Sequence, residues 1–495
     1  MAAAIMRLAT LIALSILLLA YVPNRIWEPT DRLLIVTLGV LAIWRYGWWL
    51  LHLVRSSVYA RLVFPKLRRR AEKVWSHGWR PPLLHFLVTT YRERPEITER
   101  VLESIFAECR RSRIPARVFI ATGDVSDELV VENYCSDVEP VEAEIVIVRQ
   151  NQSGKRAAMG LGLRAISRYG VGPNDIAIFI DGDSILAPGA IERCASLFAL
   201  NPKLGAVTTD EAAVVNGPRW IGTWCDMRFA QRRIAMQSHS LSRKVLTLTG
   251  RLSIFAAPVV TEEQFIRTVE ADYLDHWLWG RFRFLSGDDK STWFSLLSYG
   301  YEMLYVPDAR VWTIENIGEN TWERVQQNLL RWSGNMLRNG SRALALGPSR
   351  CGYFIWWCLL DQRLSIWTSL SGLAMALVLS LANTWDAMVA YLVWVLITRT
   401  LVSMILFLYS RRVSLLYPFL LYGGQILGSV IKIYLLFRLS KQRWLNRGDQ
   451  RSNAVGASRL AWQNAMAAFL TLLYACVFLL LAAFFTGVLR PPSAP

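Results

Sequence analysis

IAIFIDGD, Ile176 to Asp183, contains five apolar residues in a row, three of them Ile, and reads as a strand buried on both faces of a sheet. It ends in Asp181-Gly182-Asp183. Here the Gly is read as a sharp turn that lets two carboxylates project together beyond the strand's carboxyl end. In open α/β sheets ligands bind at that end. Two converging carboxylates suit a hard divalent cation that also holds phosphate oxygens. A lone D-G-D is more often a solvated turn, so its meaning comes from its flanks.

Working outward, Leu83–Val88, Ala116–Ala121 and Glu144–Val148 read as strands, and Ile97–Cys109 and Lys155–Arg168 as helices. The second strand ends at Gly123-Asp124. Beyond the D-G-D come a mixed stretch to Phe284, the loop Ser286-Gly287-Asp288-Asp289-Lys290 and a helix over Thr321–Arg338. Alternating strands and helices predict a mostly parallel, right-handed α/β sheet. Such units suit a nucleotide at the strand ends.

This region is flanked by apolar runs. Hydrophobic residues are 53% of the 495, yet the polar ones concentrate in the middle, so a membrane protein with one inserted domain is expected. Ile5–Val22 and Leu33–Val54 predict an N-terminal hairpin within residues 1–60 rather than a cleaved signal peptide. The basic stretch Arg61–Arg80 assigns the domain, residues 61–345, to the cytoplasm. A short Trp-rich segment, Gly352–Leu360, predicts an interfacial helix over residues 346–363. Residues 364–495 hold Ser365–Ala382, Ala387–Tyr409, Leu415–Phe437 and Ala461–Val488, with the basic loop Arg438–Arg459 before the last. Three crossings after the domain would put that loop outside, against the charge rule. Either the rule fails here or one of the three segments does not cross, and Leu415–Phe437, with Pro418 and Gly423-Gly424, is the candidate for a broken or interfacial segment.

The net charge is +17, but the basic residues cluster at membrane flanks and no nucleic-acid-reading motif is present, so no nucleic acid is expected as a partner. Seven cysteines without a C-x-x-C pair argue for reduced thiols and against a disulfide scaffold or a zinc site. Asp124 is positioned to accept a hydrogen bond from a base or ribose. Asp181 and Asp183 fit a metal–diphosphate site, and Asp288-Asp289 could supply a general base. Lys155, at a helix start, makes an anion site.

Taken in order, these motifs resemble the processive family-2 glycosyltransferases, which include the cellulose, chitin, hyaluronan and alginate synthases. The family pattern is a nucleotide-contacting Asp, a metal-binding D-x-D, a catalytic Asp in a T-E-D-like loop, and Q-x-x-R-W. The resemblance implies a GT-A-type (Rossmann-like) domain inserted between transmembrane helices. It implies Asp289 as catalytic base and Asp124, Lys155, Asp181 and Arg331 as binding the nucleotide sugar. Asp183 with Asp181 would hold Mg2+ or Mn2+. Asp288, Trp332 and the Thr249-Gly250-Arg251 segment fall on the acceptor side, with Asn328 where the family has Gln. Arg443-Trp444 and Arg447 resemble the gating loop.

The stretches SGDDKSTWFSLLSYGYEMLYVPDA, RWSGNMLRNGSRAL and DQRLSIWTSL resemble the alginate-polymerising branch most. That implies an inverting hexosyltransferase using GDP-mannuronate, a growing acidic polysaccharide, and a bacterial inner (cytoplasmic) membrane. It also implies a separate cyclic-di-GMP-binding PilZ co-polymerase subunit. Arg45, Arg363 and Arg399 are expected along the polymer's route. The alternatives are a family-2 synthase of another polysaccharide, or a nucleotide-binding membrane transporter or receptor.

Overall fold

The computed structural model describes residues 2–27, 32–137, 143–151, 154–318, 320–442 and 456–489. Its centre is an eight-stranded mixed sheet. The strands are β1 (Leu84–Thr89), β2 (Ala116–Thr122), β3 (Ala143–Arg149), β4 (Ile176–Asp181), β5 (Ser184–Leu186), β6 (Leu204–Asn216) and β7 (Leu252–Ala256). Two more, β8 (Tyr273–His276) and β9 (Gly280–Arg283), form a separate ribbon, and β10 (Glu302–Asn316) returns to the main sheet. The order is β3-β2-β1-β4-β7-β6-β10-β5. Only β7 and β5 oppose the common direction, so the sheet is mostly parallel, as the alternating pattern predicts.

Alternation along the central strands feeds two cores. Phe86, Val88, Val118, Ile120, Ile178 and Ile180 pack on one face, against Val101, Leu102 and Ile105 of the helix Pro95–Ser112. Leu87, Phe119, Ala177 and Phe179 pack on the other, against Leu163 and Ile166 of the helix Lys155–Arg168. Burial on both faces is why IAIFI is a continuous apolar run. Register places Thr89 between Ala121 and Asp181, so the ends of β1, β2 and β4 lie level at one sheet edge.

The flanking runs are helices: Ala2–Ala20 and Arg32–Val58 before the domain; Tyr353–Ala382, Asp386–Ser410, Tyr417–Leu436 and Ala457–Phe485 after it. Among the described residues, five helices are long and apolar enough to cross a membrane. The segments predicted as a separate interfacial helix and a first span are one unbroken helix of 30 residues, Tyr353–Ala382. No Gly or Pro interrupts residues 353–364, and two charged residues there find partners across helices. Asp361 pairs with Arg45 at 2.6 Å, and Arg363 donates to Leu337 O and to Ser341 Oγ.

Tyr417–Leu436 is likewise unbroken. Pro418 sits in its first turn, where a missing N–H costs nothing. Both of its ends rest on the sheet domain. Before it, Arg412 pairs with Asp226 at 2.9 Å, and Arg233 donates to Tyr409 O at 2.9 Å. After it, Trp279 Nε1 donates to Phe437 O at 2.8 Å and Arg338 donates to Leu439 O at 2.9 Å.

Candidate active site

The site gathers at the sheet edge beyond β4. Asp181 is the last residue of β4, and its backbone N–H donates to Arg251 O at 3.4 Å, just ahead of β7. Gly182 donates to Thr89 O at 3.0 Å. A Cβ on Gly182 would lie 2.9 Å from Thr90 Cβ and 3.0 Å from Thr89 O. The Gly is therefore required by close approach to β1. Its φ is not positive, so the expected sharp turn is not what demands it.

Lys155 opens the helix Lys155–Arg168, and its Nζ lies 2.6 Å from Asp181 Oδ1 and 2.9 Å from Asp288 Oδ2. Burial opposes its charge, but the two carboxylates outweigh burial and raise its pKa above the ordinary value. The same ammonium holds the Asp288 carboxyl below the usual range against the opposing effect of burial. Lys155 thus joins two motifs 107 residues apart (181 to 288), and its charge is already balanced by carboxylates. Asp181, Asp288, Asp289, Lys155, Thr249 and Gly250 line one small cavity. Gly250 leaves room there, since a Cβ would reach 3.4 Å from both Asp181 Oδ2 and Lys155 Nζ.

Asp289 lies in the first turn of the helix Asp288–Tyr299. Burial, and then the charge of Asp288, push its carboxyl above the ordinary carboxylate range, while Lys290 and Lys155 pull the other way. Asp183 does not line that cavity. Burial, Asp181 and Glu315 raise its pKa to about 7. The excess of carboxylates at Asp183, with Asp181 and Glu315 close by, is the donor chemistry that a divalent cation satisfies. Arg251 offsets part of it, bridging Glu211 at 2.8 Å and Glu315 at 2.9 Å.

Arg331 and Trp332 are consecutive on the helix Thr321–Ala345, so a step of about 100° aims them apart. The carboxylates of Asp289, Asp288, Glu315 and Asp181 all act on the Arg331 guanidinium, which also donates to Asn328 Oδ1 at 3.2 Å. Trp332 instead lines a second, larger cavity of about 1810 Å³ that runs among the apolar helices. There it lies near-parallel to Trp224, with ring centroids 6.1 Å apart. Arg45 and Arg399 line this cavity; Arg363 does not.

Asp124 lies at the same sheet edge, past β2. Arg92 Nε donates to it at 2.6 Å and Ser126 Oγ at 2.7 Å, and these bonds bring its carboxyl down to about 2. Arg443, Trp444 and Arg447 lie outside the described residues. Gln442, which is described, accepts from the Leu285 N–H at 2.9 Å and donates to Arg283 O at 2.9 Å, close in the chain to the loop that carries Asp288 and Asp289.

Sequence reasoning missed Glu315, Glu211 and the groups that brace this loop: Arg156, Asp272, Asn335 and Arg338. An Arg directly after Lys155 was the one available signal. His52, His239 and Cys358, on three separate helices, also bring ligand-type atoms within 4.8 Å of one another, a grouping their spacing along the chain hides.

A family model described as glycosyltransferase like family 2 matches residues 81–335. The chain is 38% identical over 449 residues to "Glycosyltransferase alg8" of Pseudomonas syringae pv. tomato, covering 90% of this chain and 91% of that one. It is also 38% identical over 458 residues to "Glycosyltransferase alg8" of Azotobacter vinelandii, covering 92% of each. Among solved structures it is similar to a mannosyltransferase from Pyrobaculum calidifontis in complex with GDP-Man and Mn2+. That match has a TM-score of 0.44 and 16% identity, covering 77% of this chain and 97% of that one.

Proposed function

The chain belongs to the family-2 glycosyltransferases, with a GT-A domain set among membrane helices, and from that premise we propose that it polymerises mannuronate from GDP-mannuronate into a β-1,4-linked polyanion. The observation that carries this reading is the Lys155 bridge. It draws the D-G-D of β4 and the Asp288-Asp289 pair to one cavity, with Gly250 leaving space between them.

Asp289 accepts the proton of the acceptor hydroxyl as that oxygen attacks the anomeric carbon, and GDP leaves with the bonding pair. The anomeric configuration inverts. The raised pKa of Asp289 makes it a stronger base than an exposed Asp. Asp183 with Asp181 would hold a divalent cation, Mg2+ or Mn2+, which when bound offsets charge on the leaving diphosphate. Arg331 adds positive charge on the same side. Asp124, held by Arg92 and Ser126, faces the nucleoside from β2. Trp332 carries the acceptor sugar, and the chain extends into the large cavity.

In this reading the enzyme sits in the bacterial inner membrane with its catalytic domain in the cytoplasm, and a separate cyclic-di-GMP-binding PilZ subunit regulates it. The resemblance to the alginate-polymerising branch supports both. The test is to supply membranes containing the chain with a panel of nucleotide sugars. GDP release and an acidic polymer are expected from GDP-mannuronate alone, abolished by chelation and restored by Mg2+ or Mn2+. A neutral polymer from another donor would overturn the substrate assignment; sugar-nucleotide binding without turnover would overturn the enzyme.

A further inference from the structure

The large cavity carries more positive than negative charge. Arg45, Arg228, Arg399 and Lys432 line it, against Asp361 and Asp386. Two of the cations are answered within the protein: Arg45 pairs with Asp361, and Arg399 donates to Gln425 Oε1. Arg228 and Lys432 are not. Among the described residues, neither makes a hydrogen bond or an ion pair. Glu211, the carboxylate that acts on Arg228, is taken by Arg251 at 2.8 Å and Arg232 at 3.2 Å. Lys432 lies within electrostatic reach of both Arg228 and Arg45. Like charges gathered in a half-buried wall are unfavourable unless an anion sits among them.

The geometry of Arg228 indicates which anion. Its guanidinium carbon lies 4.4 Å from the Trp332 ring centroid and 4.8 Å from that of Trp224. Ring contact leaves its N–H groups without a hydrogen-bond acceptor among the described residues, and a guanidinium matches a carboxylate through two parallel hydrogen bonds. Trp332, Arg228 and Lys432 line the same cavity, so a uronate chain whose sugar stacks on Trp332 would lie in the space that both cations face.

We propose that Arg228 and Lys432 are the counter-ions for the carboxylates of a uronate chain held in this cavity, and that they set its preference for an acidic over a neutral polymer. The assignment rests on the polymerase reading above. It is tested by binding alone, without donor. The full chain is placed in phosphatidylcholine nanodiscs, which offer no anionic lipid. It is titrated with end-labelled hexamannuronate and with its carboxyl-reduced counterpart, read by fluorescence anisotropy.

The wild type should bind the uronate oligomer ~10-fold more tightly than the reduced one, a gap that narrows with salt. Arg228→Gln and Lys432→Gln should each weaken the uronate oligomer ~10-fold and leave the reduced one unchanged. Arg228→Lys should recover only part, because an ammonium lacks the fork. If Arg228→Gln does not fold, Arg228→Lys and Lys432→Gln carry the comparison. Equal binding of the two oligomers by the wild type would overturn the proposal. So would variants that weaken both by the same factor, the result a packing role gives. A chain that polymerises mannuronate yet binds both oligomers equally fails here and not in the donor assay. A chain that makes only a neutral polymer fails in the donor assay and not here.

Discussion

Asp289 shares a cavity with Asp288 and is followed in the chain by Lys290, and its neighbours set its basicity in opposite directions. Replacing it with Asn removes the base while keeping the shape. GDP release in the presence of acceptor should fall by ~10²–10⁴. Lys290 is half-buried, donates to Leu246 O at 2.5 Å, and pulls the Asp289 carboxyl downward. A base works only when ionised, so activity rises with pH through the Asp289 pKa. Lys290→Gln removes the downward pull, so the acid limb of the kcat/KM profile should move to higher pH. A limb that stays put or moves down would show that Asp289 is not the titrating base. Both Asp residues were legible in the sequence because SGDDK is a short, ordered motif. The reason for Gly182 was not, because its constraint comes from Thr89 and Thr90, at the end of β1 about 90 positions earlier.

The helix that begins at Asp288 is aimed by a buried polar network. Ser291 Oγ donates to Asp272 at 2.6 Å and accepts from Arg156 at 2.7 Å; Arg342 reaches the same Asp272 oxygen at 2.7 Å. Ser286 Oγ donates to Asn335 Oδ1 at 2.9 Å, and Arg338 donates to the same oxygen at 2.5 Å. Between them, Gly287 holds φ +83°, and a Cβ there would lie 2.6 Å from Asn335 Cγ.

Gly287→Ala therefore carries a left-handed penalty of about 1–2 kcal/mol plus a clash. It should lower the thermal midpoint and most of the activity. Adding Asn335→Ala removes the clashing atoms, so the double variant should be destabilised by less than the sum of the singles, with a coupling of ~0.5–3 kcal/mol. Midpoints of the four proteins in one detergent read this; simple additivity would refute the contact. Strands β1 to β4 and the helix carrying Arg331 were legible from periodicity and motif spacing. The network was not, because Arg156, Asp272, Asn335 and Arg342 are single polar residues with no local pattern, and they meet only in the folded chain.

Across the molecule, the parity problem that hydropathy poses turns on Tyr417–Leu436. Tyr417–Leu436 passes a length and composition test for a span, yet both of its ends are tied to the sheet domain. Arg412 and Tyr409 hold one end through Asp226 and Arg233; Phe437 and Leu439 hold the other through Trp279 and Arg338. Gln463, past the basic loop, donates to Leu278 O at 2.8 Å and brings the next helix back to the same domain. A helix whose two ends meet one domain is expected to return the chain to that domain's side of a membrane. We predict that Arg411 and Lys441, before and after this helix, face one compartment, as the charge rule asks.

The expected outcome is that Arg411→Cys and Lys441→Cys, both at exposed positions, react with a membrane-impermeant maleimide from the same side. The exposed Cys476 is first replaced to remove background. With the domain cytoplasmic, both sites should label in inverted vesicles and neither in intact cells. Labelling of one from each side would mean that Tyr417–Leu436 crosses, and that the contacts at one of its ends do not form in the membrane. Hydropathy alone could not make this distinction, because a hydrogen bond to a domain 101 to 186 residues away leaves no trace in a local apolar run.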